Sequence, residues 1–247
     1  MKILIIGGTH GDERTGVDVV SRLRRKPVAG VDVLIANPRA TKAGLRFIET
    51  DLNRSFGREN PQSYEEKRAV TIASVLRRYD FVLEFHNTTS RTTCGIVTNE
   101  FPTSQQLAVL EHFNVRYLVI MSPGRSLIGR VPSRAVSLEI SIRNRKLCVE
   151  FLIEKIKTMA CEKFVPAVSV KVYRDRGIKV TVAQLTALGL DLNHFKDFRP
   201  IRKERAGLLD LKHPCIPFLV DEKAYGESFA FRVAEKVKGQ REGESWK

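Results

Sequence analysis

Residues 3–13 read ILIIGGTHGDE, an apolar run that ends in paired glycines. A short run of branched apolar residues that stops at such a turn is typical of a buried strand followed by a tight loop. His10 and Glu13 should therefore stand at the carboxyl end of that strand, where open α/β sheets carry their chemistry. An imidazole and a carboxylate at this spacing can both turn toward one divalent ion, and the glycines let the backbone approach without steric cost. Zinc is the natural candidate.

Strands and helices alternate from this loop to about residue 163. The apolar runs predict strands over residues 31–37, 81–86, 117–121 and 135–141, and helical spacing predicts helices over residues 16–25, 63–78, 104–113 and 144–163. Such alternation predicts the α/β class, with a mainly parallel or mixed sheet flanked by helices. Residues 41–60 are polar and irregular, and a loop this long in a compact domain is often functional.

The pattern changes after Pro166. Residues 168–173 alternate between apolar and polar side chains, and later short runs are separated by glycine, aspartate and proline. This arrangement is typical of short strands joined by turns. We therefore predict an α/β domain over residues 1–164 and a small β-rich domain over residues 165–247.

Composition places the chain among globular proteins. With 247 residues and 43% hydrophobic side chains it can bury a full core. No apolar stretch is long enough to span a bilayer, and no basic leader with a cleavage site precedes the first strand, so we expect a cytoplasmic location and no membrane partner. The cysteines are scattered without a Cys-x-x-Cys pair, which favours reduced thiols over disulfides or a thiolate metal site; they are Cys94, Cys148, Cys161 and Cys215.

The net charge of +14 raises the alternative of a basic module that binds nucleic acid or another anion without turnover. Most basic residues are spread along the chain. Two local concentrations, at residues 22–26 and 199–205, are predicted to be helix ends and a loop, and few aromatic residues are interleaved with them for base stacking. We therefore do not expect a nucleic-acid partner. A basic surface would also attract small acidic substrates.

Polar residues collect at the ends of several predicted strands. His10 and Glu13 follow the first strand, His86 ends the strand at residues 81–86, and Glu139 lies within the strand at residues 135–141. Two imidazoles and one carboxylate make a three-ligand zinc site with an open position, where a bound water can be activated. A further carboxylate can then serve as a base.

These segments resemble the aspartoacylase/succinylglutamate desuccinylase family of zinc-dependent deacylases, which are related to the zinc carboxypeptidases. The motifs GGTHGDE at residues 7–13 and FHNTTS at residues 85–90 are similar to the family's metal-binding segments. The resemblance implies one zinc ion per chain, held by His10, Glu13 and His86. It also implies that Glu139 is the general base.

The same resemblance implies a set of substrate contacts. The motif DLNR at residues 51–54 is similar to the family's substrate-binding signature. Asn53 and Arg54 would hold the substrate's carboxylates, and Arg46 would bind substrate and help to stabilise the oxyanion. A further arginine before the base would be Arg130 or Arg134, with Arg130 closer to the expected separation.

The predicted C-terminal domain also carries part of the resemblance. Residues 221–225 read DEKAY and resemble the aspartoacylase segment whose tyrosine reaches back into the active site. Tyr225 would then contact the substrate. The domain over residues 165–247 would cap the active site and narrow it until only a small substrate can pass.

The activity implied by the resemblance is hydrolysis of the amide of an N-acylated acidic amino acid, with N-acetylaspartate as the leading substrate. Succinylglutamate desuccinylation and carboxypeptidase-like cleavage of peptides are the alternatives within zinc hydrolases. The oligomeric state stays open at this point, and a homodimer is one of the alternatives.

Overall fold

The computed structural model describes residues 1–142, 145–159, 169–222 and 228–237, with the side chains of all of these except residues 145–148. In the described part of the chain, nine strands form one mixed sheet. Helices pack on both faces of this sheet. The predicted α/β class with helices flanking the sheet is confirmed.

The elements follow one another in a largely alternating order. The strands are β1 (Ile3–Gly7), β2 (Val31–Ile35), β3 (Phe81–Thr88), β4 (Cys94–Val97), β5 (Tyr117–Ile120), β6 (Ala135–Ser141), β7 (Lys171–Thr181), β8 (Ile216–Phe218) and β9 (Phe229–Lys236). The helices are α1 (Arg14–Arg25), α2 (Pro38–Ala43), α3 (Tyr64–Leu76), α4 (Ser104–His112), α5 (Arg145–Met159), α6 (Val182–Ala187) and α7 (Lys203–Leu208).

The strand order places the predicted site residues side by side. The order across the sheet is β2-β1-β3-β6-β4-β5-β7-β9-β8, and β2, β1, β3 and β6 are mutually parallel. The carboxyl ends of these four strands therefore meet at one edge of the sheet. The register between β3 and β6 pairs His86 with Glu139.

The side chains of β1 pack alternately into two separate hydrophobic cores, one on each face of the sheet. Ile3 and Ile5 pack with buried residues of α1, α4 and α5 on one face of the sheet. Leu4 and Ile6 pack with residues of α3 on the other face. Because both faces are buried, the strand reads as a continuous apolar run rather than as an alternating one, and this is why it could be recognised in the sequence.

The short elements α2 and β4 were not predicted, and neither were the helices α6 and α7, which lie in the segment predicted to be β-rich. Helix α2 begins at Pro38, directly after the strand predicted over residues 31–37, and Asn37 caps it by accepting a hydrogen bond from the Ala40 N–H at 3.2 Å. Strand β4 has four residues and lies antiparallel to β6. An apolar run of this length does not distinguish a strand from other buried segments. The helix predicted over residues 144–163 is observed as α5, and residues 160–163 lie outside the described residues.

The C-terminal segment continues the same sheet. Strand β7 pairs in parallel with β5, and β9 and β8 follow in antiparallel order. Its apolar residues also form a core cluster of their own, which includes Leu185, Phe195 and Phe231. The strands are therefore an extension of the sheet rather than a second one. The domain boundary near residue 165 stays a prediction, since residues 160–168 lie outside the described residues.

The cysteine side chains that the structure describes, Cys94 and Cys215, are buried free thiols. This agrees with the expectation of reduced cysteines for these two; the side chains of Cys148 and Cys161 are outside the described part. Among the helices of the described residues, none combines the length and the apolar character that crossing a membrane requires.

Glu65 of α3 anchors the backbone segment that precedes the DLNR motif at residues 51–54. Its buried carboxylate accepts hydrogen bonds from the backbone N–H groups of Ile48, Glu49 and Thr50 at 2.8, 3.1 and 3.2 Å, and from the side-chain amide of Asn37 at 3.1 Å. Burial alone would raise the pKa of Glu65, but these hydrogen bonds outweigh it and hold the pKa below its usual value. The charged carboxylate is therefore the form that stabilises this loop.

We predict that Glu65→Gln lowers the free energy of unfolding by about 2 kcal/mol, because an amide group offers one acceptor oxygen where the carboxylate offers two. Because the folded pKa of Glu65 is depressed, the difference should be complete above pH 4.5, the ordinary value for a glutamate, and should shrink as the pH falls below it. Urea unfolding at several pH values measures it. Glu59→Gln, an exposed change in the same region, is the control; an equal loss there would contradict the assignment.

Candidate metal centre

The chain from the end of β1 to α1 packs so closely against its neighbours that Gly7 and Gly11 leave no room for a side chain. A Cβ atom on Gly7 would lie 2.3 Å from the backbone carbonyl carbon of Gly16, and one on Gly11 would lie 2.2 Å from the carbonyl carbon of Ala40. Both are closer than real Cβ contacts, and backbone cannot give way cheaply. The Gly11 N–H also donates to the carbonyl of Arg46 at 3.1 Å, which joins this loop to the segment carrying the predicted substrate contacts.

The three predicted metal ligands meet in one buried cluster. Glu13 Oε1 lies 2.7 Å from His10 Nδ1, and Glu13 Oε2 lies 2.8 Å from His86 Nδ1. All three side chains are buried, and each offers a ligand atom within 4.8 Å of the others. Two imidazoles and a carboxylate in this arrangement could hold a metal ion, and the donor set suits zinc.

The outer nitrogen of each imidazole faces a second carboxylate. His10 Nε2 lies 3.1 Å from Asp51 Oδ1, and His86 Nε2 lies 3.0 Å from Glu84 Oε1. Such outer carboxylates fix the tautomer and the orientation of a metal-binding imidazole and increase its basicity. Asp51 is within hydrogen-bonding distance of His10 Nε2, whereas Glu84 is close to His86 Nε2 without hydrogen-bond geometry. The two Nδ1 atoms, which both face Glu13, are the ones that could bind a metal together with it.

The charges in the cluster support one another. Burial alone would raise the pKa of Glu13, but the adjacent imidazoles of His86 and His10 hold it well below its usual range. Burial alone would lower the pKa of His10 and His86, yet the surrounding carboxylates raise it in both, and more strongly in His86. The carboxylates outnumber the imidazoles, so a divalent cation would meet a compensating negative charge.

Glu139 lies beside the cluster on β6, half-buried and level with His86. Burial raises the pKa of its carboxyl group to about 7, with the nearby charges of Glu13 and Glu222 adding to the effect and the imidazoles opposing it. Among the described residues no basic group forms an ion pair with it. A carboxyl group with this pKa can both take and return a proton near neutral pH.

These groups surround a cavity of about 120 Å³. Most of its lining is polar or charged, and the C-terminal segment contributes to it. The described residues that line it are His10, Glu13, Arg46, Asp51, Asn53, Arg54, His86, Asn87, Glu139, Leu219 and Glu222.

The three residues predicted to bind substrate through the DLNR segment and its upstream loop all reach this cavity. Arg46 is the more enclosed arginine, and its Nη1 lies 3.4 Å from Glu13 Oε1. The Arg54 side chain is 71% exposed, and its Nε lies 3.5 Å from Asp51 Oδ2. The side-chain carbonyl of Asn53 accepts a hydrogen bond from the Leu127 N–H at 3.1 Å, which joins this segment to the loop before β6.

The remaining predicted contacts are not brought to the cavity in the described part of the chain. Arg130 and Arg134 are absent from its described lining, and the Arg130 guanidinium packs over Gly57, with Nη1 2.9 Å from where a Cβ atom would stand. Tyr225 lies outside the described residues. A role for any of these three in substrate binding stays a prediction.

Three carboxylates of the site had no role in the sequence-based prediction. Asp51 belongs to the DLNR motif. Glu84 lies inside an apolar strand, and because a charged side chain is costly to bury without a partner, its position in the sequence could have indicated a role in the site. Glu222 belongs to the DEKAY motif; its carboxylate accepts hydrogen bonds from the Thr88 hydroxyl and, at 2.9 Å, from the Thr89 N–H. Contacts between residues so far apart in the chain cannot be read from spacing.

Comparison with known proteins gives one family. Residues 1–137 match the family model of the succinylglutamate desuccinylase/aspartoacylase catalytic domain. Aspartoacylase from Mus musculus is 30% identical over 213 residues, which cover 70% of this chain and 68% of that protein. The N-acyl-aromatic-L-amino acid amidohydrolase (carboxylate-forming) of Rattus norvegicus is 26% identical, with 96% of this chain and 91% of that protein covered. Several other relatives align over only a third to a half of their own length.

The fold is shared with a solved structure of the same family. The succinylglutamate desuccinylase of Chromobacterium violaceum superposes with a TM-score of 0.73 at 16% identity, over 97% of this chain and 86% of that one. At this identity the likeness supports the fold alone. The family model covers more than half of the chain, and it includes the whole metal cluster. The chain therefore belongs to the succinylglutamate desuccinylase/aspartoacylase family of hydrolases.

Proposed function

We propose that the protein is a zinc-dependent hydrolase that removes the acyl group from an N-acylated acidic amino acid. The observation that carries the proposal is the cavity itself, in which a buried His-Glu-His cluster and the carboxyl group of Glu139 share one small space with two arginines. His10, Glu13 and His86 would hold one zinc ion. The family relationship supports amide hydrolysis, because relatives are named for the removal of acyl groups from amino acids.

The residues around the cluster divide the proposed reaction between them. Zinc, when bound, supplies a Lewis acid that lowers the pKa of water and polarises the amide carbonyl. Glu139 takes a proton from the attacking water and returns it to the leaving amine nitrogen. Arg46, which is held next to Glu13, stabilises the negative charge that develops on the carbonyl oxygen.

The charge and size of the cavity favour a small acidic substrate. Arg46 and Arg54 present planar guanidinium groups, which match a carboxylate with two parallel hydrogen bonds. Leu219 is the single apolar side chain among the described lining residues, so the site offers little surface for an aromatic or a long aliphatic group. N-acetylaspartate, which has two carboxylates and a short acyl group, is the leading substrate.

The alternatives within zinc hydrolases act on larger substrates. Succinylglutamate is also acidic but longer, and a peptide would need an open groove. Leu219 and Glu222 close one side of the cavity, and this favours small substrates over peptides. We propose that residues 165–247 cap the site in this way and that Tyr225 adds a substrate contact.

The central prediction concerns metal content and activity together. The purified protein should contain about one zinc ion per chain and hydrolyse N-acetylaspartate faster than N-succinylglutamate or a neutral N-acyl amino acid. Chelation should abolish the activity, and His10→Ala should remove most of the zinc because only two ligands remain. Metal analysis and an amine-release assay test this. A protein without zinc and without chelator-sensitive amidase activity would refute the proposal.

A second prediction separates the base from the metal ligands. We expect Glu139→Gln to lower kcat by about 10²- to 10⁴-fold while zinc content and substrate affinity change little, because the amide cannot accept the proton. Parallel measurement of kcat, KM and bound zinc distinguishes this from loss of the metal. If Glu139→Gln keeps its activity, or loses zinc as His10→Ala does, the role assigned to Glu139 is wrong.

A third prediction concerns the carboxylate behind His10. Asp51→Asn should weaken zinc affinity by about 10- to 100-fold, because the imidazole loses the charged partner that orients it. Competition with a zinc-binding dye measures the affinity. Asp12→Asn, an exposed aspartate in the metal-binding loop, is the matched control and should leave it unchanged. Equal effects of the two changes would show that Asp51 has no specific role.

A fourth prediction tests recognition of the substrate's carboxylate. Arg54→Lys keeps the charge but loses the planar pair of donors, so kcat/KM for N-acetylaspartate should fall by about 10- to 100-fold, as expected for loss of a charge-assisted hydrogen bond. The loss should be much smaller for a neutral N-acyl amino acid. Arg77→Lys, at the exposed end of α3, is the control. Unchanged kcat/KM in Arg54→Lys would remove Arg54 from the site.

A further inference from the structure

A second cavity of about 180 Å³ lies in the C-terminal segment and shares no lining residue with the cavity beside His10, Glu13 and His86, which we call the metal cavity. Lys196, Arg199, Arg202 and Arg205 line it, with Phe195 and Ile201 among its apolar residues. These four cations come from a stretch of ten residues, part of which stands out in the sequence as a basic run. The proposed deacylation makes no use of them.

The cations of this cavity, which we call the basic cavity, form no ion pair in the described part of the chain, although Lys196 and Arg199 also line a neighbouring cavity that includes Asp197 and Asp221. No carboxylate is among its described lining residues, and within the described part of the chain none of the four cations has a carboxylate oxygen within 4.0 Å. Like charges gathered in this way repel one another, and the repulsion is relieved when an anion binds between them.

The other basic run of the chain shows the contrast. Arg22 and Arg25 of α1 also line a surface cavity, but Glu150 and Glu154 of α5 line it with them, and Arg22 Nη1 lies 3.7 Å from Glu150 Oε1. That cluster is partly compensated within the protein, with two carboxylates for its four cations, which are Arg22, Arg25, Lys26 and Lys157. A high net charge alone therefore does not explain why the cations of the basic cavity form no ion pair in the part of the chain that the structure describes.

The backbone that carries these cations is fixed in place. The Phe198 N–H donates to the Pro217 carbonyl at 2.8 Å, and the Ile201 N–H donates to the Cys215 carbonyl at 3.0 Å. These hydrogen bonds hold residues 198–201 beside β8, which stands at the end of the strand order of the sheet. Ile201 is also buried in the C-terminal core cluster. The cavity is therefore preformed, which lowers the entropic cost of binding.

We propose that the basic cavity is a binding site for a phosphate-bearing ligand. Three arginines and one lysine that line one small space suit a group that has several oxygen acceptors and more than one negative charge. A phosphoryl group has both properties, whereas a single carboxylate has two oxygens and one charge. The ligand could be a free phosphorylated molecule or the phosphates of a nucleic acid, since both present the same chemistry.

Calorimetric titration of the 247-residue chain with inorganic pyrophosphate tests the site. We expect saturable binding of one pyrophosphate per chain, weakened about tenfold or more by Arg199→Gln or Arg202→Gln, both exposed positions where loss of folding is not expected. Arg25→Gln, which removes the same charge from the partly compensated cluster on α1, should have little effect. Thermal unfolding of each variant confirms that it is folded.

Two further measurements separate the possible outcomes. Arg54→Gln should keep pyrophosphate binding, while Arg199→Gln should keep deacylase activity; a loss of binding in Arg54→Gln would place the anion in the metal cavity and overturn the proposal. The same would follow if binding is not saturable or if Arg25→Gln weakens it equally. A single-stranded oligonucleotide that binds more tightly than pyrophosphate, through Arg199 and Arg202 and with a steep salt dependence, would identify nucleic acid as the source of the phosphates. Binding of pyrophosphate alone would identify a free ligand.

Discussion

The carboxylate of Glu13 lies between two buried imidazoles, and the rest of the site depends on this contact. A charged group taken out of water is costly unless it is paired, and here each oxygen of Glu13 has an imidazole nitrogen within 2.8 Å. The pairing holds only if the ends of β1 and β3 are adjacent, which the parallel register between these strands ensures. The sheet therefore positions a cluster whose electrostatics no single segment could satisfy.

A second layer of carboxylates makes this arrangement specific. Asp51 faces His10, and Asp51 itself lies directly after the backbone segment that Glu65 anchors. Glu84 faces His86 and accepts a hydrogen bond from the Thr9 hydroxyl at 2.7 Å. Each imidazole is thus oriented from a different direction, one through the long loop after α2 and the other through its own strand. A change far from the cluster, such as one at Glu65, can then affect it through the loop.

Prediction from the sequence works best where the residues that define a feature lie close together in the chain. The run before Gly7 predicted β1, and His10, Glu13 and His86 could be selected because they stand at strand ends, where parallel sheets collect side chains. The segments that are poorly predicted are short or depend on distant partners. Strand β4 has four residues, α2 depends on a cap at Asn37, and the roles of Asp51 and Glu84 follow from contacts across the sheet. Spacing within the loop likewise does not choose between Arg130 and Arg134.

The C-terminal segment shows how one stretch of chain can bound two different cavities. Leu219 and Glu222 line the metal cavity, whereas Val220 and Asp221 line a neighbouring cavity, together with Asp197. Asp197 accepts hydrogen bonds from the Ser90 hydroxyl and from the Val220 N–H, and so joins this segment to the loop after β3. Glu222 makes the equivalent connection from the other side through Thr88 and Thr89. Through these hydrogen bonds the segment around Leu219 and Glu222 is held against the loop after β3, where it forms part of the wall of the cavity that His10, Glu13 and His86 also line.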